Sequence, residues 1–128
     1  MRTDENRSAR SAPWRESAEE GIVRAGVLAD GPNRWSPSKP AEKALSCART
    51  LLNAIKSDAL PLPITSAGPD GVFSIEWREP DRAMVFSILE DGLIEYYVRT
   101  PHIPDVEGEI GEHFDEKVNE IVETFLRR

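Results

Sequence analysis

Between residues 60 and 99 the chain reads LPLPITSAGPDGVFSIEWREPDRAMVFSILEDGLIEYYVR, three alternating segments separated by turn-forming residues. This stretch leaves little freedom of architecture, because successive side chains of a strand point to opposite faces and the alternation here is unbroken. Phe73, Ile75 and Trp77 share one face of the first strand, Met84, Phe86 and Ile88 one face of the second, and Ile94, Tyr96 and Val98 one face of the third. Glu79-Pro80-Asp81-Arg82 supplies a four-residue loop, and Glu90-Asp91-Gly92 a three-residue loop with glycine at the left-handed position. Strand ends that adjoin a loop must lie opposite one another. The loops therefore predict inner rungs Phe73/Ile88/Ile94, Ile75/Phe86/Tyr96 and Trp77/Met84/Val98. A slip of one residue would bury Ser74, Glu76, Ser87 or Glu95, so the register is well specified. The outer rungs, among them Glu76/Val85/Tyr97 and Arg78/Ala83/Arg99, are amphipathic.

Helical periods flank this meander. Ala44, Cys47, Ala48, Leu51, Leu52 and Ile55 form one stripe, with Ser38 as the expected cap, Pro40 in the first turn, and Pro61 and Pro63 as stops, which places a helix at 40–57. Phe114, Val118, Ile121, Val122, Phe125 and Leu126 form a second stripe, with Asp115 and Glu116 in its first turn to suit the helix dipole. Segment 62–66 reads as a short edge strand that would make a fourth, and 102–112 as an acidic connector. The expectation is a two-layer α+β domain over 39–128: an antiparallel three-stranded meander, four with the edge strand, two helices on one face, order α-β-β-β-α.

Residues 1–38 are rich in Ser, Arg, Glu, Gly and Pro and read as a mostly disordered polar arm. Within it Trp14, Ala18, Ile22 and Ala25 have the spacing of one short amphipathic helix, which Gly21 and Gly26 weaken. Charge is uneven: residues 1–40 carry seven Lys/Arg against six Asp/Glu, and residues 41–128 nine against seventeen. An acidic domain without a basic cluster argues against nucleic-acid binding and suits a basic partner. One cysteine allows no internal disulfide, no apolar run follows the N-terminal arginines, and no stretch is long enough to span a bilayer. These features predict a cytoplasmic protein without membrane association.

Several short motifs lie along 35–100: Trp35-Ser36-Pro37-Ser38 before an alanine-rich helix, Leu60-Pro61-Leu62-Pro63, Pro69-Asp70-Gly71 leading to Glu76-Trp77, and Asp91-Gly92 leading to Tyr96-Tyr97. In these the chain resembles a family of small uncharacterised bacterial proteins. The family's glycine-rich lead-in is only partly present, as Asp30-Gly31-Pro32-Asn33-Arg34-Trp35. The resemblance implies an accessory role, sometimes beside toxin–antitoxin or mobile-element genes, and transfers no catalytic residue.

Candidate sites are few. Cys47, on an apolar stripe, reads as a small core hydrophobe rather than a reactive thiol. His102 and His113, with Asp105, Glu107, Glu109, Glu112 and Glu116, are the one group with metal-ligand chemistry, but no three ligands have a recognised spacing, and the segment reads first as a solvated acidic face. The chain lacks a Gly-x-Ser-x-Gly elbow, a Walker loop and a His-Glu-x-x-His helix, so no catalytic residue, cofactor or metal ligand is assigned. The expected function is a non-catalytic acidic interaction or regulatory module. Its interaction surface would comprise Glu76, Arg78, Val85, Tyr97 and Arg99 on the outer sheet face, with Glu112 at the end of the acidic connector and Glu116 and Glu120 on the last helix. Two alternatives stand beside it: self-association through the outer face or the 62–66 edge, and a metal-dependent enzyme using segment 102–116.

Overall fold

Five antiparallel strands lie side by side in the order in which the chain supplies them, each joined to the next by a short connection. The computed structural model describes residues 12–28, 36 and 38–128. Its elements are α1 (Pro13–Gly26), α2 (Glu42–Ala54), β1 (Ile64–Ala67), a single 3-10 turn (Pro69–Gly71), β2 (Phe73–Glu79), β3 (Arg82–Ile88), β4 (Ile94–Thr100), β5 (Ile103–Ile110) and α3 (Phe114–Leu126). The fold is α+β, with the helices on one face of the sheet. Of the expected N-terminal arm, residues 1–11, 29–35 and 37 lie outside the described residues, as do Trp35 and Pro37 of the motif before α2.

Every inner rung expected from the hairpins is present, from Phe73/Ile88/Ile94 to Trp77/Met84/Val98, and the outer rungs follow. Gly92 has φ 92°, as its loop requires. The β2–β3 connection is tighter than expected. Glu79 pairs with Arg82, leaving a two-residue turn at Pro80-Asp81.

Four expectations need correction. The sheet has five strands: β1 pairs with β2, and β5, read from sequence as an acidic connector, pairs with β4 from Ile94↔Ile110 to Val98↔Val106. There are three helices, and the order is α-α-β-β-β-β-β-α, because residues 13–26 are helical and belong to the core rather than to a disordered arm. Trp14 and Ala18 are fully buried and Ile22 nearly so. The burial of this stripe offsets the cost of its glycines. Finally, Ser38 caps no helix: α2 starts at Glu42 without a side-chain cap, and the Ser38 hydroxyl instead accepts from Gly71 N–H and donates to Gly68 O, both at 3.3 Å, tying the chain to the 3-10 turn.

The core lies between the sheet's inner face and the three helices. Trp77 stacks edge-to-face between Trp14 (centroids 5.7 Å apart) and Phe86 (6.1 Å), an arrangement worth about 0.5–1.5 kcal/mol per pair beyond the area buried. α1 crosses β1 at Gly21, where a Cβ would come within 2.2 Å of the Thr65 hydroxyl. Cys47 packs against the core with its Sγ close over Gly92, consistent with a packing role.

Both interior helix ends are held by side chains from elsewhere. Arg15 donates to the carbonyls of Leu52 (2.9 Å) and Ile55, Asn119 Nδ2 donates to Ala54 O at 2.8 Å, and Trp14 Nε1 donates to Ser57 O at 3.1 Å, all around the end of α2. Arg82, only 1 % exposed, donates to the carbonyls of Phe125 (2.8 Å) and Arg127 (2.7 Å) at the end of α3. Carbonyls at a helix C-terminus lack intrahelical partners and carry partial negative charge, so a guanidinium answers both needs.

Candidate functional site

The outer face of the sheet is the surface on which the described helices do not pack. On it the rung Glu76–Val85–Tyr97–Glu107 runs beside the rung Ser74–Ser87–Glu95–Glu109. Between them lies a shallow hollow of about 440 Å³ lined by Val85, Ser87, Glu95, Tyr97, Glu107 and Glu109, with Tyr96 and Gly108 contributing edges. Strand alternation explains the lining, since these are the residues whose neighbours point into the core.

Charges on this face divide into two groups. Arg78 is paired with Glu76, its Nε 2.9 Å from the carboxylate, so these two largely cancel. The Tyr97 hydroxyl donates to Asp105 at 2.5 Å, and the carboxylate holds the phenol above its usual pKa. Glu95, Glu107 and Glu109 are exposed and, among the described residues, none has a cation within ion-pair distance. Arg99 sits on the next rung, opposite Ala83, and is exposed. The hollow is therefore an acidic basin with a tyrosine on its floor and a cationic margin at Arg78 and Arg99.

The eight residues expected to form one surface fall on two. Glu76, Arg78, Val85, Tyr97 and Arg99 are together on the outer face. Glu112, Glu116 and Glu120 belong to α3 and the turn before it, in the helix layer on the other side of the sheet. Two of these are already engaged, Glu116 with His113 Nδ1 (3.6 Å) and Glu120 with Lys117 (3.2 Å). The expected interaction surface leaves out Glu95, Glu107 and Glu109, the last two being read from sequence only as part of the acidic group over 102–116. For the last two a signal existed: Asp105, Glu107 and Glu109 recur with period two, the mark of one face of a strand.

His102 lies in the turn before β5 and His113 after its end, so the two are separated by the strand's length, roughly 26 Å for eight residues. Among the described residues, no three His, Cys, Asp or Glu side chains are grouped as metal ligands. His113 instead takes the left-handed conformation (φ 57°) that turns the chain into α3.

Fold and surface together define a small two-layer α+β protein with an uncovered acidic sheet face. No protein-family model, no curated protein and no solved structure matches the chain. No described helix is long and apolar enough to cross a membrane.

Proposed function

We propose that this chain is a non-catalytic acidic interaction module, of antitoxin-like, immunity-like or accessory type, acting in the cytoplasm on a protein partner with a basic surface. One observation carries the reading: three carboxylates with no cationic partner among the described residues, Glu95, Glu107 and Glu109, surround a hollow on a sheet face that the described helices leave open. Carboxylates kept this close repel one another, and a cationic partner relieves that repulsion. Glu112 in the turn before α3, and Glu116 and Glu120 on that helix, extend the negative field and favour approach of the same partner.

A dye-labelled oligo-arginine peptide serves as the first probe. Its association rate, followed by stopped-flow fluorescence, is expected to fall steeply with added salt and to drop again in E95Q/E107Q/E109Q, a variant that removes three charges from exposed positions and keeps the fold. Equal rates for the two proteins at low salt would defeat the reading.

A second reading is self-association at β1. Leu62 (62 % exposed), Ile64 (57 %), Val23 (57 %) and Val27 (82 %) are exposed apolar residues of β1 and its approach and of the overlying α1, and Ile64–Ala67 carries no charge. Uncharged strand edges pair readily. Light scattering of the pure protein separates the two readings.

A further inference from the structure

We propose that the free edge of β5 receives an extended strand of a protein partner, added antiparallel, in which cationic residues alternate with apolar ones. This rests on the reading of the outer face as an acidic docking surface, and it adds the conformation and sequence pattern of what docks there.

The direction of the backbone groups on β5 follows from one hydrogen bond. Leu89 N–H donates to Leu93 O at 2.8 Å, closing the β3–β4 hairpin. Antiparallel ladders alternate bonded and non-bonded pairs, so Ser87/Glu95 and Val85/Tyr97 are bonded pairs as well. Ile94, Tyr96 and Val98 must then turn their N–H and C=O toward β5, where they meet Ile110, Gly108 and Val106. The residues between, Glu107 and Glu109, turn theirs away from the sheet, and among the described residues no strand lies beyond β5; past Val106 the pairing shifts register to Thr100↔Ile103, and Asp105 lies in that irregularity.

Glu107 and Glu109 carry their carboxylates on the outer face, and so does Asp105, which accepts there from the Tyr97 hydroxyl. At alternate positions β5 thus offers a backbone donor, a backbone acceptor and a negative charge together. A strand laid antiparallel would place two of its residues directly opposite Glu107 and Glu109, and a third beside Asp105 at the irregular end, with side chains on the outer face. Lysine or arginine there gains both main-chain bonds and a cross-strand ion pair. Its intervening residues would point to the helix side, opposite Gly108 and Val106. Val106 faces inward, opposite Val98, yet is 38 % exposed. Apolar residues would complete that cover. A second copy of β5 does not fit, since antiparallel self-pairing sets these carboxylates against one another.

The test uses a blocked peptide, Thr-Lys-Val-Lys-Val-Lys-Thr, and two versions N-methylated either at the lysines or at the valines, titrated calorimetrically into the full chain. In the docked register the lysine amides face β5 and the valine amides face away. Methylating the lysines is expected to abolish binding, methylating the valines to leave it unchanged, and E107Q/E109Q to weaken it about fivefold. Amide exchange at Glu107 and Glu109 should slow when the parent peptide is bound. If the two methylated peptides bind alike while E107Q/E109Q still weakens binding, strand addition is overturned and the acidic docking surface stands. If E107Q/E109Q has no effect either, or the parent peptide does not bind, both fall.

Discussion

Gly21 reverses an expectation that holds for most helical glycines. In an exposed helix interior, replacing glycine by alanine stabilises by up to about 1 kcal/mol, since glycine has more backbone freedom to lose. Here the added methyl would lie 2.2 Å from Thr65 Oγ1 and 2.8 Å from Thr65 Cβ, and no rotation of the threonine moves its Cβ. Gly21→Ala is therefore expected to destabilise by about 1–3 kcal/mol in urea unfolding, the range for overpacking. Thr65→Gly in the same chain should recover part of that loss. A neutral or stabilising Gly21→Ala would mean that α1 does not seat on β1 as described. Single residues also explain why α1 was only half legible: Trp14, Ala18 and Ile22 announce a buried stripe, whereas nothing in the sequence marks Gly21 as a contact. Trp77 differs from Trp14 in a way that sequence also hides. Trp14 has an acceptor in Ser57 O, but the fully buried indole N–H of Trp77 has no hydrogen-bond partner among the described residues.

At the level of elements, the two hairpins were readable because turn chemistry and period-two alternation agree on one register. β5 was not. Its apolar residues Ile103, Val106 and Ile110 are spaced by three and four, and only its acidic residues alternate, a pattern equally natural to a solvated loop. Helix ends were the other blind spot, because their caps come from distant residues. Arg82 holds the end of α3 and is itself held by Asp81, with Nε to Oδ1 at 3.1 Å, while Arg128 reaches Glu79 at 3.0 Å. Arg82→Leu should leave the carbonyls of Phe125 and Arg127 without donors. Hydrogen exchange of amides 122–127 should then accelerate and the thermal midpoint fall, and Arg82→Lys should not restore either, because one ammonium cannot reproduce the fork. The pair also sets a pH dependence. The Arg82 hydrogen bond lowers the Asp81 pKa below 3.8, so its stabilisation is complete above that value and is lost as pH falls through the lower folded one. The stability difference between the parent chain and Arg82→Leu should accordingly shrink as the pH falls through and below the ordinary aspartate range. A difference independent of pH would mean that Arg82 acts through the carbonyls of α3 and through packing, with no contribution from Asp81.

Across the whole molecule, strands and helices are both laid down in chain order: α1 lies over β1, α2 over the middle of the sheet, and α3 over β3, β4 and β5. Sequence-adjacent strands therefore make every sheet contact, a topology that keeps loop-closure costs low and favours rapid folding. The same layout leaves the two rims of the sheet chemically unlike. β1 is four residues, uncharged and flanked by exposed apolar side chains, while β5 is eight residues with three carboxylates and a proline. Such a sheet can extend by copies of itself at one rim only, so growth stops at two rather than running on into a fibril. A pair joined at β1 would carry ten strands, with its acidic rims facing outward about 43 Å apart at the usual strand spacing. That fixed separation would act as a ruler. A partner bearing two basic strands would gain avidity only if its own spacing or linker spans the gap, and one bearing a single strand would gain none.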